Sequence, residues 1–323
     1  MNLSRHTFLR LATAAAVAPA LPRIAAAQTY PSRPVRIVVG LPAGGGADLV
    51  ARLVGQALAQ RFGQQFVVED RPGAGATIAT EVVVKAAADG YTLLLAMPAN
   101  TVNATLQTNL NFDFIRDIAP VAMICALPFV LLANPSIPAQ SVAELIADAK
   151  AHPGTINYGS RGNGTLTHVV AELFKMMAGI DIVHVPYRGD YLPDLLGGRL
   201  QVAFFALADS SDYIRSGKLR ALAVTSANRL ADFPDVPAMA EFLPGYEASG
   251  WLGVGAPKGT PTAIVEALHD RINAAVADPD VTARLAALGF QPTPMSIAEF
   301  TQFIAADTDK WAKVIRAAGI QME

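Results

Sequence analysis

The chain has 323 residues, 52 % of them hydrophobic, with 25 Lys and Arg against 27 Asp and Glu and a formal charge of −2. A slightly acidic chain without a basic run is a poor partner for nucleic acid or anionic lipid, and neither is expected. Cys125 is the only cysteine, so no intrachain disulfide can form even in an oxidising compartment.

Residues 1–27 read as a secretory signal. Arg5 and Arg10 supply the positive end, Leu11 to Ala20 the apolar run, and Ala25-Ala26-Ala27 the small-residue cleavage site, with cutting expected before Gln28. "SRHTFLR" matches a twin-arginine export pattern except that His6 stands at the second arginine, which leaves the export route open. No cysteine near the cut offers a lipid anchor. Without Arg5, Arg10 and Arg23 the charge becomes −5, from 22 basic and 27 acidic residues. The expected location is the periplasm.

In the exported part, strand-like and helix-like runs alternate. "VRIVVG" precedes a helix from Asp48 to Phe62, in which Leu49, Leu53 and Ala57 line up with Val50, Val54 and Leu58 as one apolar stripe. Asp48 suits its N-cap and Gly63 its stop. "QFVVED", a helical stretch through Val82 to Val84, and "YTLLLAM" follow. The apolar segment 118–133 is too short for a membrane span and contains Pro120 and Pro128, so two buried strands joined at Pro128 are expected.

The pattern then restarts. Ser141 with Glu144 forms a capping-box arrangement for one helix, "TINYGS" is a strand, and Thr165 to Met177 is a helix ending at Gly179. "DIVHVPY", "QVAFFAL" and "LRALAVT" are further strands. After Trp251 come "LGVGAP" and three helical stretches from Pro261, Asp280 and Ile297. Near-continuous apolar strands between helices predict parallel sheets covered on both faces. We expect two doubly wound α/β domains, 28–128 with 251–323 and 129–250, joined by two crossing strands near residues 128 and 250.

Ligands of open α/β sheets sit outside the carboxyl ends of the strands. Those ends here are "GLPAGGGAD", "EDRPGAGAT", "AMPANTVN", "YGSRGNGT", "VPYRGD" and "ALADSS". Gly44, Gly45 and Gly46, after Ala43, let the backbone approach a ligand closely, and the following helix points free N–H groups and its positive dipole end at the same place. A tight turn alone would also explain them. "YGSRGNGT" repeats the device with Ser160, Gly162, Asn163, Gly164 and Thr165, and Arg161 adds a charge able to hold a carboxylate bidentately or simply to be solvated. Arg188 is a second anion contact or a surface residue. Asp48 and Asp209 can accept hydrogen bonds from a ligand, and Asn100 lies in a third strand-end loop. His168 falls opposite the apolar stripe of its helix, which favours a structural or rim role.

Enzyme readings are weaker. "GAGATIA" has a loose dinucleotide-like spacing but follows Pro72 in what reads as the second unit. "YGSRG" lacks the first glycine of a nucleophile elbow. The histidines and the lone cysteine show no metal-ligand spacing, and no cofactor or metal is expected. A secreted hydrolase would need Ser160 beside His168 or His184, with a third group orienting the imidazole.

Taken together, "PAGGGADLVARLVGQALAQRFGQQFVVEDRPGAGA", "AELIADAKAHPGTINYGSRGNGTLTHVVAELF", "VHVPYRGDYLPDLLGGRL", "GKLRALAVTS" and "FPDVPAMAE" resemble the Bug family, the extracytoplasmic solute receptors of tripartite tricarboxylate transporters. The resemblance runs from about Tyr30 to the C-terminus. It implies a type II, Venus-flytrap periplasmic-binding-protein fold that closes on a small carboxylate, held by backbone amides and water from Pro42 to Asp48 and Ser160 to Thr165. It also implies delivery to a membrane permease, with a sensor protein as the alternative partner; a monomer, not embedded in the membrane, is expected. The chain departs from the family pattern at Asp70, Ala76 and Ala79, which replace Asn, Gly and Gly, and at Arg161, where a small residue is usual. The segment Asp190 to Pro193 is shorter than usual, and Ala206 and Leu207 stand where an acid is common. The lost acid and gained arginine favour a more highly charged ligand or a second carboxylate; Tyr191, Phe205 and Leu207 equally favour an aromatic one.

Overall fold

The structure is a computed structural model describing residues 30–321, so the expected export signal and cleavage site lie outside the described residues. From Arg33 onward the chain forms a single compact unit. In its first part, strands β1 (Val35–Val39), β2 (Phe66–Asp70), β3 (Thr92–Ala96) and β4 (Ile118–Leu127) alternate with helices α1 (Gly46–Phe62), α2 (Thr77–Val84), α3 (Pro98–Leu106) and α4 (Phe114–Asp117). The middle carries β5 (Phe129–Ala133), α5 (Val142–Ala151), β6 (Asn157–Ser160), α6 (Leu166–Ala178), β7 (Val183–Pro186), α7 (Leu192–Leu196), β8 (Val202–Ala206), α8 (Leu207–Arg215) and β9 (Arg220–Val224). β10 (Gly250–Pro257), α9 (Thr262–Val276), α10 (Pro279–Ala287), β11 (Gln291–Pro292) and α11 (Ile297–Ala318) complete it.

The strands form two sheets, ordered β11-β4-β10-β3-β1-β2 and β7-β6-β8-β5-β9. Both are mixed rather than parallel, which corrects the sequence expectation. β1 pairs in parallel with β2 and β3, but β10 runs antiparallel to both β3 and β4, and the short β11 antiparallel to β4. In the other sheet β6 is parallel to β7 and β8, while β5 is antiparallel to β8 and β9. The cause is connectivity. β5 and β10 are the strands that enter each sheet from the other one, and a strand arriving from the opposite side has to run against its neighbours. The predicted break at Pro128 is present, with buried strands on either side of it, and among the described residues no helix is long and apolar enough to cross a membrane.

The crossing is pinned by polar contacts. Gly250 on β10 pairs with Leu127 at the end of β4. Thr225 receives the Phe129 N–H on its Oγ1 at 3.0 Å and returns its own N–H to the Phe129 carbonyl at 2.9 Å. α11 begins at Ser296, whose hydroxyl and Glu299 form a reciprocal capping box. Its first half buries Phe300 and Ile304 beside Trp251, and its second half buries Trp311, Val314 and Ile315 against the α6 residues Val169, Val170 and Phe174. One amphipathic helix therefore covers both sheets. Asp307, 3 % exposed, sits between those halves, accepting from Thr101 Oγ1 at 2.7 Å and Trp251 Nε1 at 3.1 Å and pairing with Lys310 at 2.9 Å.

Candidate functional site

The glycine loop joins β1 to α1. The helix starts two residues earlier than the sequence suggests, with Gly45 as N-cap and Gly46 as its first residue. Asp48 is therefore not the N-cap. It lies in the first turn, 2 % exposed, and its Oδ2 accepts the Gly44 N–H at 2.8 Å. Gly44 takes φ +82°, a value that disfavours any residue with a Cβ. The Gly45 N–H reaches the Pro42 carbonyl at 3.4 Å. Gly46 and Ala47, as the first helical residues, point N–H groups out of the helix end with no carbonyl of their own turn to bond.

Behind the loop, Arg52 ties two acids together. Its Nε lies 2.7 Å from Asp48 Oδ1 and its Nη2 3.0 Å from Asp70 Oδ2, at the end of β2. Burial works against charge on Asp48, but the Gly44 N–H and Arg52 outweigh it and hold the carboxyl below its ordinary range. For Asp70, burial and then the neighbouring Asp48 charge win, and its carboxyl is pushed above that range.

The second loop joins β6 to α6, whose N-cap is Thr165. Most of its polar groups are engaged internally. Arg161 donates its N–H to Thr167 Oγ1 at 3.1 Å, Gly162 to Ser160 Oγ at 3.1 Å, Gly164 to His168 Nδ1 at 3.1 Å and Thr165 to the Gly162 carbonyl at 3.3 Å. The N–H groups left at the helix end by geometry are those of Leu166 and Thr167. Ser160, wholly buried, lies with its Oγ 2.6 Å from His184 Nε2.

Beneath this loop the rings of His168, His184 and Tyr158 stack. The two imidazoles are 3.8 Å apart at 11° and His184 to Tyr158 4.9 Å at 20°. The Tyr158 hydroxyl donates to Glu172 Oε1 at 2.5 Å, and Lys175 pairs with the same oxygen at 2.9 Å. Burial first, then Lys175, brings His168 down to about 4. Burial, then His168, brings His184 to about 4 as well, against a smaller upward pull from Glu172. Both rings are neutral near pH 7, which is what the Gly164 N–H and the Ser160 hydroxyl need in order to donate to them.

The remaining expected residues are scattered in role. Asn100 is 5 % exposed and committed to its surroundings, accepting from the Met97 N–H and donating to Thr80 Oγ1, both at 2.8 Å. Arg161 and Arg188 are exposed on the loops after the paired strands β6 and β7. Asp209 is exposed in the first turn of α8. Tyr191 and Phe205 are core residues, 1 % and 4 % exposed, and the Tyr191 hydroxyl donates to the buried Phe204 carbonyl at 2.8 Å. Tyr191, with Leu200, fills the space under Gly159, and neither Tyr191 nor Phe205 can select an aromatic ligand as surface groups would; Leu207, half-buried, packs against them. The loop after β2 contains Ala74 and Ala76 at φ +46° and +71°, conformations suited to glycine.

Two contacts link loops of the first sheet to loops of the second. A Cβ on Gly164 would meet Leu106 Cδ1 at 2.5 Å, and one on Gly289 would meet the Ala208 Cβ at 2.2 Å. Phe290, next to Gly289, abuts Gly46. The α1 N-terminus and the start of α8 thus belong to one neighbourhood, while the α6 loop meets the first sheet's elements at the end of α3. Thr167 and Arg52 escaped the sequence reading of the site, which noted His184 only as the base a hydrolase would need and Asp70 only as a departure from the family pattern. The Asp48–Arg52 spacing was the signal for one of them; His184 comes under the loop only through its pairing with Tyr158. Among the described residues no cluster of His, Cys, Asp or Glu fits a metal ion.

Comparison with known proteins gives a consistent answer. Residues 50–320 match the family described as Tripartite tricarboxylate transporter family receptor. Protein BugT of Bordetella pertussis is 37 % identical over 318 residues, 97 % of this chain and 96 % of BugT. Rpa4515 of R. palustris, solved with adipate, is 36 % identical with a TM-score of 0.76, over 90 % of this chain and 99 % of that one. MatC from Rhodopseudomonas palustris, solved with bound malate, is 30 % identical with a TM-score of 0.73, over 88 % of this chain and 100 % of that one.

Proposed function

This chain belongs to the tripartite tricarboxylate transporter receptor family, the Bug proteins, with their type II periplasmic-binding-protein fold, and from that premise we propose that it captures a small organic carboxylate between its two lobes. The lobes are taken as residues 28–128 with 251–323 and residues 129–250, after removal of a signal ending at Ala27. The observation that carries the reading is a helix N-terminus after a glycine-containing loop in each lobe, α1 at Gly46 and Ala47 and α6 at Leu166 and Thr167. Each offers N–H donors and a positive dipole end to an anion. Arg161 and Arg188 add positive charge from the adjoining strand ends.

Closing the lobes would exclude water from the carboxylate and strengthen each charge-assisted bond. Because the ligand bridges both lobes only when they are closed, it favours that form. A membrane permease of the tripartite type is the intended recipient, with a sensor protein as the other candidate, and the receptor acts as a monomer without cofactor or chemistry. Adipate and malate, the ligands of the two similar structures, are the first probes. Calorimetric titration with both, and with monocarboxylates and amino acids, tests the reading. Saturable heat with one acid and no turnover supports it, and silence across the carboxylates at millimolar concentration refutes it.

The Ser160–His184 contact favours a second reading, a serine hydrolase, and it meets the first geometric requirement of one. Two features weigh against it. Ser160 is wholly buried, and the groups stacked on His184 are His168 and Tyr158 rather than a carboxylate that could orient it. Release of nitrophenol from nitrophenyl esters, lost in Ser160→Ala, would establish that reading instead.

A further inference from the structure

Asp48 and Asp70 share one counter-charge. Arg52 contacts Asp48 through Nε at 2.7 Å and Asp70 through Nη2 at 3.0 Å, and the side chains of the acids are 3 % and 14 % exposed. Asp48 Oδ2 is taken by the Gly44 N–H. Asp48 Oδ1 has ion-pair contact with Arg52 but no aligned hydrogen bond, and Asp70 Oδ1 is buried with no hydrogen-bond partner at all. Arg52 reaches both carboxyl groups and so gathers them behind the loop. Two full carboxylates gathered on one guanidinium would repel, whereas one proton shared between them would turn the pair into a charge-assisted hydrogen bond.

The surroundings decide where the negative charge goes. Asp48 lies in the first turn of α1, beside the positive helix end, and accepts an amide; Asp70 has neither aid. No other charge competes for Asp70. Its neighbour across the sheet is Val39. Glu69 is occupied by Arg36 at 3.1 Å and by Arg71 Nε at 2.6 Å, and those guanidiniums are thereby engaged elsewhere.

We propose that Asp70 is a positioning residue that serves in its protonated form, its O–H donating to the Asp48 carboxylate that holds the Gly44 amide, so that one proton sets the glycine loop. Loss of that proton to solvent leaves two negative charges on one guanidinium directly behind the loop. Asp48 then repels Asp70, its hold on Gly44 changes, and the potential met by an anion at the helix end becomes more negative. The consequence for ligand affinity rests on the carboxylate-receptor reading; the proton link itself does not.

The test is an NMR titration of the ligand-free protein between pH 4 and pH 8, following aspartate carboxyl carbons and the Gly44 amide. Expected is one aspartate titrating above the ordinary value of 3.8, with the Gly44 amide shifting through the same midpoint and both changes abolished in Asp70→Asn, whose amide donates permanently. The proposal is overturned if every aspartate has finished titrating by the start of the range, or if the Gly44 amide does not follow. It is equally overturned if Asp70→Asn leaves the Gly44 titration in place. The wild-type titration decides alone should the variant not fold. With adipate as probe, affinity should fall severalfold through that midpoint in the wild type and stay level in Asp70→Asn. Absence of adipate binding alongside the Gly44 titration would sustain the proton link while removing adipate as a ligand.

Discussion

The hydroxyl of Ser160 and Nε2 of His184 lie 2.6 Å apart, and this contact fastens the tip of β6 to the neighbouring strand directly below the candidate anion loop. Ser160 Oγ also accepts the Gly162 N–H at 3.1 Å, so one hydroxyl closes the turn and anchors it sideways. Its burial suits a clamp better than a nucleophile.

Ser160→Ala leaves the Gly162 N–H and His184 Nε2 without their partner. Leaving buried polar groups unsatisfied costs about 1–3 kcal/mol. The denaturation midpoint should fall accordingly, with amide exchange fastest at residues 161–165. An unchanged midpoint would show that the contact holds nothing.

The histidine stack makes stability fall with acidity. His168 and His184 titrate near 4 in the folded chain against an ordinary 6.5, so between those values the unfolded chain binds more protons. Stability is then fully present above about pH 6.5 and is lost as the pH drops towards 4, with a slope of about 1.4 kcal/mol per pH unit for each ring at most. A charged His168 can no longer accept the Gly164 N–H, so the loop should loosen in step. His168→Gln, His184→Gln should flatten the slope of melting temperature against pH in that window; an unaltered slope would assign it to other groups.

Ala74 is exposed at φ +46°. Holding a Cβ in the left-handed region costs about 1–2 kcal/mol, and the extra chain entropy of glycine returns roughly 0.5–1 kcal/mol of that. Ala74→Gly should therefore raise stability by about 0.5–1 kcal/mol, because the carbonyl that accepts from Gln107 Nε2 at 3.0 Å is kept. A lower melting temperature would contradict the strain.

Arg161→Ala should weaken carboxylate binding by about 1.5–3 kcal/mol if the guanidinium pairs with the ligand. Its exposure in the free protein leaves it available for that contact. An unchanged dissociation constant would make it a surface charge.

Much of the architecture could be read from the chain. The alternation of apolar runs located the strands, Pro128 marked the first crossing, and Gly63 and Gly179 stop their helices in left-handed conformations as expected. Strand direction could not be read, because the antiparallel senses of β5 and β10 follow from where the chain enters each sheet rather than from any local pattern. The glycine and serine loops were visible by their composition. What each side chain does there was not: Asp48 moved from N-cap to loop anchor because the helix begins at Gly46. Tyr191 turned inward because Gly159 leaves it room. His184 could be placed only once β6 and β7 were paired.

The most direct test of the receptor claim is to follow backbone amide resonances while adipate or malate is titrated into the chain without its expected export signal, residues 28–323. The account predicts that Gly46 and Ala47 on one lobe and Leu166 and Thr167 on the other shift together, saturably, with a single dissociation constant. Shifts confined to one lobe, or centred on the cavity lined by Trp251 and Lys310, would contradict it.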